Sequence, residues 1–316
     1  MGMEISQLKT IIQVAELGSL SKAADRLHIA QPALSRQVRM LEEELGVRLF
    51  DRHGRGMVVT EAGKDVLRHA HRMMNELDEI RASVIGADAQ MRGHVSIGMP
   101  PTVADVLSVS LVSAFQKRHP EATLRIVSAY SGYVLDWLHR GDIDMAILYE
   151  TRPARSLRSR FLLEEQLHLI GPSGCFENDG QPHDFGYLTD QRLLLPSAGH
   201  GLRRIVDDCA SVAKIPLDVR VEADSYSTLK DLVRTGHGLT ILPLAPIHQD
   251  LASGHLSHSA LIDPAPVRRL MMSFPSDRTT SRLTEFAGRV LVDTARDLVE
   301  SGIWSGRLLT EDGAFV

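Results

Sequence analysis

Apolar positions in the first ninety residues recur at helical spacing, interrupted by one short β-prone stretch. Ile5, Leu8, Ile11, Ile12 and Ala15 fall on one face of a first helix. Ala23 and Ala24 are small enough to bring a second helix close to a third, and Leu27, Ala33, Leu34, Val38 and Leu41 supply the apolar seam between them. The break between these two helices is expected over His28–Gln31. Pro32 suits the first turn of the third helix, where no amide proton is needed, and Gly46 is a natural stop. Val47–Phe50 and Met57–Thr60 are β-prone runs around a basic, glycine-bearing turn at Asp51–Gly56, which predicts a hairpin. From Thr60 to about Gln90 the spacing returns to alternating threes and fours. Val66, Ala70, Met73, Leu77, Ile80 and Val84 then form a heptad seam on a helix about 45 Å long, at about 1.5 Å of rise per residue. Such a seam needs a partner, either a second chain or the rest of its own domain.

Beyond Met91-Arg92-Gly93 the pattern becomes an α/β alternation. Strands are expected at 94–99, 123–129 and 144–149, with helices at 103–118 and 131–140 between them. A second set follows, with strands at 167–171, 192–196, 219–223 and 239–242 and helices at 201–213 and 227–235. A strand over 268–274 and an amphipathic helix over 282–301 close the chain, and the residues after Trp304 read as a tail. The implied domains are a winged helix-turn-helix over 1–60, a linker and dimerisation helix over 61–90, a two-lobed region over 91–301 and a tail over 302–316. Lobe I takes 91–163 and 268–301, and lobe II takes 164–267.

The third helix presents Gln31, Pro32, Ser35, Arg36 and Arg39 in its first turns. A helix of this kind fits the major groove, where glutamine can address adenine, arginine can address guanine through two bonds, and serine can serve base or phosphate. Arg52 and Arg55 on the hairpin turn can hold the backbone or minor groove beside it. The competing reading is a helical hairpin with a solvated polar face, which the following wing-like hairpin makes weaker. The chain of 316 residues has a net charge of −5, but residues 1–60 carry 8 Lys and Arg against 7 Asp and Glu. DNA binding is therefore expected to rest on placed side chains and dimerisation more than on a strong positive field.

These residues carry a resemblance to the LysR-type transcriptional regulators. The matching positions are Ala23-Ala24, Leu27, Gln31-Pro32-Ala33-Leu34-Ser35, Leu41-Glu42, Leu45-Gly46 and Leu49-Phe50 with Arg52. Ala30 departs from the family's usual Ser or Thr, a loss of about 1 kcal/mol if that side chain capped the helix. The C-terminal region resembles the family's effector domain, a relative of the periplasmic-binding-protein fold, through Gly141-Asp142-Ile143-Asp144-Met145-Ala146-Ile147 and Val233–Pro243. Residues 196–202, PSAGHGL, and Pro100-Pro101-Thr102 are similar to the subgroup that includes the nitrogen assimilation control regulators. The resemblance implies a homodimer or homotetramer on double-stranded operator DNA, pairing through the long helix, with a small-molecule effector between the lobes and RNA polymerase as a further contact.

An effector cleft of this kind is expected where strands end and helices begin, because helix N-termini favour small anions. Thr102, Ser131 and Gly132 occupy such junctions in lobe I, Ser197 and His200 a strand-to-helix loop in lobe II, and Tyr149 and Arg152 a strand end. Thr102 and Ser131 read equally well as helix caps, His200 as a structural loop residue, and Arg152 better as a solvated charge.

Other classes fit less well. Gly199-His200-Gly201, Gly236-His237-Gly238 and Gly54-Arg55-Gly56 lack the third glycine of a dinucleotide fingerprint, and residues 195–199 lack the first glycine of a hydrolase elbow. The histidines show no metal-ligand spacing. No enzyme activity, resident cofactor or metal is expected. Cys175 and Cys209 read as ordinary residues, with a redox switch as the sharper alternative. The start of the chain lacks a secretory pattern and no long apolar span follows, so a cytoplasmic protein without a membrane contact is expected. The alternatives are a regulator controlled by its own abundance and, more remotely, a solute-binding protein.

Overall fold

In a computed structural model, residues 2–53, 56–85, 91–150, 156–176 and 181–309 are described. The chain divides into two compact units. One runs to His94 and adds Glu121–Thr123; the other takes Val95–Pro120 and continues from Leu124.

The first unit opens with α1 (Ile5–Leu17), α2 (Leu20–Leu27) and α3 (Gln31–Leu45). Gly18 ends α1 and Gly46 ends α3 in the left-handed conformation that glycine adopts without a Cβ penalty, and Ser19 caps α2 through the Lys22 amide. Leu8, Ile11, Ile12, Ala23, Ala24, Leu34, Val38 and Leu41 are buried together. Two positions depart from the predicted seam. Ala33 is exposed because it lies on the outer side of the first turn of α3, and Ile5 is exposed because it starts α1 before the helix reaches its neighbours.

Strands β1 (Phe50–His53) and β2 (Gly56–Val59) pair antiparallel, as a wing. The Met57 amide donates to the Gly18 carbonyl at 2.8 Å, which ties the wing to the end of α1. Helix α4 (Glu61–Ile85) follows, with Thr60 accepting from the Gly63 amide at its start. Its seam is divided in use. Ala70 is buried and Val66 half-buried in the core of the winged unit, whereas Met73 and Ile80 are exposed and Leu77 is partly so. The Val84 side chain lies outside the described residues, as does Arg55.

Lobe I of the second unit is a six-stranded sheet in the order β14-β6-β13-β5-β3-β4. In chain order its first elements are β3 (Gly93–Met99), α5 (Pro101–Arg118), β4 (Ala122–Ser128), α6 (Ser131–Arg140), β5 (Met145–Tyr149) and β6 (Leu157–Gln166). The chain then crosses into lobe II through β7 (His168–Pro172) and β8 (His183–Asp184), followed by β9 (Arg192–Leu195), α7 (Gly201–Ala213), β10 (Asp218–Glu222), α8 (Tyr226–Arg234), β11 (Thr240–Leu242), α9 (His248–Ala252) and β12 (Leu256–Ile262). It returns through β13 (Val267–Pro275), α10 (Arg282–Glu300) and β14 (Arg307–Leu308). The two crossings touch: the Leu167 amide donates to the Pro266 carbonyl at 2.8 Å.

Lobe II is a four-stranded sheet, β11-β7-β12-β8, joined to the parallel β9–β10 pair by a bridge between Leu193 and Leu239. Its core gathers Leu169, Ile170, Phe185, Leu194, Val206, Leu229, Val233 and Ile241.

The sequence pattern missed β6 and β12. Leu157–Gln166 reads LRSRFLLEEQ, whose charged residues hide the strand because several pair with arginines on neighbouring strands. Lobe I therefore extends to Gln166, not residue 163. The expected tail is also corrected over its described part: Trp304 is buried, and β14 pairs with β6 as the sheet's outer strand.

Candidate functional site

On α3, Gln31, Pro32, Arg36 and Arg39 are exposed and Ser35 is half-buried. Gln31, Ser35 and Arg39 follow one strip at four-residue spacing, with Pro32 and Arg36 on the next. Ala30 stands at the N-cap without a side-chain hydrogen bond; Pro32 brings no amide proton to the first turn, and the Ala33 and Leu34 amides donate to the Ala30 carbonyl at 2.9 and 3.1 Å. Gln37 is withdrawn from this surface, because its side chain accepts from the Thr10 hydroxyl at 2.5 Å. Glu42, on the opposite side, accepts from the Leu49 and Phe50 amides at 2.8 and 3.3 Å and so fixes where the wing begins. Arg52 is exposed on β1. Rigid placement of α3 beside a short hairpin bearing an arginine is the geometry of a winged helix-turn-helix.

The second site is a cavity of about 160 Å³ between the lobes. Its walls are largely apolar or aromatic, with Pro101, Tyr130, Pro196, Leu202 and Tyr226 among them, and its floor is Arg268. The arginine lies on β13 in the same alternating register as Leu270 and Met272, and all three are buried. A buried cation requires partners. Nε donates to Glu165 at 2.7 Å, Nη1 to the Tyr149 hydroxyl at 2.8 Å and Nη2 to Thr102 Oγ1 at 3.2 Å. Its guanidinium also sits over the Tyr149 ring, 4.7 Å from the centroid. Burial alone would push the arginine pKa down; the Glu165 charge and the Tyr149 contact outweigh it, and the group remains a cation.

His200 caps α7, its Nδ1 accepting from the Leu202 amide at 3.1 Å. The neutral ring accordingly carries its proton on Nε2. Burial holds the imidazole below its ordinary pKa; Asp224 opposes that shift and Arg268 adds to it. Tyr130 links the lobes, its hydroxyl donating to the Asp224 carbonyl and its ring standing edge-on to His200 at 5.0 Å. The cavity is thus an apolar chamber with a cationic floor and a tyrosine across it.

Of the six residues expected at an effector site, Thr102, Tyr149 and His200 line this cavity. Ser131, Gly132 and Ser197 do not. The chain enters α6 through Tyr130, so the tyrosine ring takes the cleft position. Ser131 turns its hydroxyl into a buried spot without a hydrogen-bond partner among the described residues, and Gly132 is exposed on the helix surface. Ser197 is engaged by Asp224, to which both its amide and its hydroxyl donate, at 2.9 and 2.7 Å. Arg152 lies outside the described residues. Sequence reasoning missed Arg268, Tyr130 and Asp224. The signal for Arg268 was present: an arginine in register with Leu270, Met272 and Phe274 on one face of a strand is a cation aimed at the interior.

Two family models cover most of the chain. Residues 5–64 match the bacterial regulatory helix-turn-helix protein, lysR family, and residues 88–297 match the LysR substrate binding domain. The chain is a LysR-type transcriptional regulator. Among curated relatives, the nitrogen assimilation regulatory protein nac of Klebsiella aerogenes is 34% identical over 242 residues, covering 76% of this regulator and 78% of that protein. The HTH-type transcriptional regulator BbuR of Bordetella bronchiseptica is 28% identical and covers 96% and 94%. Among solved structures, a Corynebacterium glutamicum OxyR C206 mutant superimposes with a TM-score of 0.69 at 26% identity, covering 95% of both chains. Full-length CbnR complexed with its target DNA shares the fold at a TM-score of 0.60 and 22% identity, covering 93% and 99%. The regulator is DNA-binding and is not an enzyme. In it, burial pushes both the Cys175 and the Cys209 thiol up, with Asp208 adding to the shift at Cys209, which disfavours the reactive thiolate.

Proposed function

We propose that this regulator senses a small anionic molecule in the inter-lobe cavity and converts its binding into a changed arrangement of DNA-reading heads. The observation that carries the reading is Arg268: a buried cation at the floor of an apolar chamber, with its hydroxyl partners on Thr102 and Tyr149 and with His200 lining the chamber from the other lobe. A carboxylate entering the chamber replaces or joins those hydroxyls and gains charge-assisted bonds, while its apolar body meets the tyrosine and proline walls. Such a ligand acts only through differential affinity, favouring one lobe or subunit arrangement over another.

On DNA, Gln31, Ser35, Arg36 and Arg39 address base edges and phosphates in the major groove, and Arg52 holds the backbone beside them. The exposed part of the α4 seam, Met73 with Ile80, pairs with the same surface of a second chain, so that two heads read the halves of a partly symmetric operator. The working assembly is a homodimer or a pair of dimers, in the cytoplasm, with RNA polymerase as its further partner and no resident cofactor.

Thermal unfolding of the full chain against small carboxylates, aromatic acids, amino acids and inorganic anions tests the cleft. A ligand at 100 times its dissociation constant stabilises the native state by about 2.7 kcal/mol. The expected hit is an anion whose stabilisation shrinks in Thr102→Val and shifts operator affinity in the wild type. A hit of equal strength in both proteins, without effect on operator affinity, contradicts the reading.

A further inference from the structure

The segment after α10 reaches the floor of the cavity through a chain of hydrogen bonds. Gly302 turns the backbone out of the helix in the left-handed region, and the Trp304 amide donates to the Leu298 carbonyl at 2.9 Å. The indole is then sealed in the interior at 2% exposure. Its Nε1 donates at 3.2 Å to Glu165 Oε2, while Glu165 Oε1 accepts from Arg268 at 2.7 Å. The two oxygens of one buried carboxylate thus face opposite ways, one toward the cavity arginine and the other toward the C-terminal segment.

The neighbouring glutamate reinforces the attachment from the other face of β6. Glu164 accepts from Arg307 at 3.0 Å, and Leu308 pairs opposite Leu163. Gly306 passes so close that a Cβ there would lie 2.8 Å from the Glu164 carbonyl oxygen. The segment is therefore clamped to β6 at Glu165, the counterion of the cavity arginine, and at its neighbour Glu164 on the opposite face. A buried tryptophan needs only volume to fill a core; an indole N–H committed to the counterion of a binding-site arginine does more than fill space.

We infer that Trp304 is a positioning residue for the cavity: it orients Glu165, Glu165 orients Arg268, and the C-terminal segment carrying β14 registers what occupies the arginine. This rests on the reading of the cavity as the effector site. When an anion draws on the guanidinium, the Glu165 carboxylate loses part of its claim on Arg268 and readjusts toward the indole. Low-dielectric surroundings make that redistribution felt along the chain of bonds.

The protein has two tryptophans, so Trp137→Phe in the full-length chain leaves Trp304 as the sole indole reporter. In that background, with no ligand, Tyr149→Phe removes a hydroxyl bonded to Arg268 and touches nothing bonded to Trp304. The expected result is a shifted Trp304 emission maximum, with the shift abolished when Glu165→Gln is added. Unchanged Trp304 emission in a Tyr149→Phe protein that unfolds cooperatively overturns the inference, and this comparison does not depend on the Glu165 variant folding. Sodium benzoate, an aromatic carboxylate matched to apolar walls and a guanidinium floor, supplies a second arm. Thermal stabilisation by benzoate together with a parallel change in Trp304 emission supports the coupling; stabilisation with a silent Trp304 overturns it. Absence of any benzoate stabilisation counts against benzoate as an occupant of the cavity, while the ligand-free comparison still decides the role of Trp304.

Discussion

Arg268 shows how much one residue can organise. Its charge is neutralised by Glu165 directly across the strand pair, and its remaining donors reach Thr102 and Tyr149 on elements far apart in sequence. Replacing it by leucine strands a buried carboxylate, so Arg268→Leu is expected to destabilise the fold by about 3–5 kcal/mol, whereas replacing both partners with apolar residues recovers most of that loss. Urea unfolding of the two variants reads the difference. Thr102→Val is a milder probe. It removes one hydroxyl from the cavity at constant shape, and operator affinity without ligand is expected to stay unchanged while the response to any stabilising anion weakens. At this scale the sequence was legible where a residue's role is local. The α3 side chains lie where helical spacing puts them. The cleft was half legible: Thr102, Tyr149 and His200 sit at junctions that periodicity locates, and alternation along β13 turns Arg268 inward, but the partners that hold it, Thr102, Tyr149 and Glu165, lie more than a hundred positions away.

Among the elements, α4 carries two duties along one seam. Ala70 and Val66 complete the core of the winged unit, and Met73 and Ile80, about one and about three turns beyond Ala70, stand exposed at 50% and 57%. A heptad pattern alone does not distinguish these halves, because both require apolar residues at the same spacing. Their separation gives a prediction: Ile80→Asp is expected to shift the protein toward monomer in sedimentation velocity while leaving its unfolding cooperative, whereas Ala70→Asp is expected to unfold the winged unit. A dimer unaffected by Ile80→Asp would place the pairing surface elsewhere. Strand β6 escaped the sequence pattern because Glu164 and Glu165 read as polar in one dimension and find their arginines only when the sheet order is known, and β12, LSHSALI, because its serines and histidine break the apolar run. Elements flanked by clear punctuation, such as α6 between Tyr130 and Gly141, were read to within a residue.

For the molecule as a whole, pH dependence of stability is expected from lobe II. Burial, aided by electrostatic repulsion from the neighbouring His258, brings the His168 pKa down from 6.5 to about 4. The native state thus favours the neutral imidazole, while the unfolded chain takes up a proton below pH 6.5. Native stability is accordingly full above about 6.5 and falls as the pH drops toward about 4, the range over which the unfolded chain binds more protons. His200 acts in the same direction. Denaturant midpoints measured across that window are expected to fall with acidity, and less steeply in His168→Phe; an equal slope in both proteins would assign the acid sensitivity to other groups. The change from helical spacing to an α/β alternation near residue 93 was legible, because each part has its own hydrophobic period. How the final segment joins the sensor was not, since Trp304 and Arg307 make sense only beside Glu165 and Glu164.

On the proposed function, α3 reads sequence while the second unit modulates the reading. Selection from a randomised duplex pool, run in parallel with the wild type and Arg36→Ala, tests its first half directly. The wild type is expected to enrich a partly symmetric site, and Arg36→Ala to lose discrimination at one position of each half-site by about 1–3 kcal/mol, the worth of a forked base contact. An identical site enriched by both proteins, with affinity reduced equally on all sequences, would contradict base reading by Arg36 and move that side chain to the phosphate backbone.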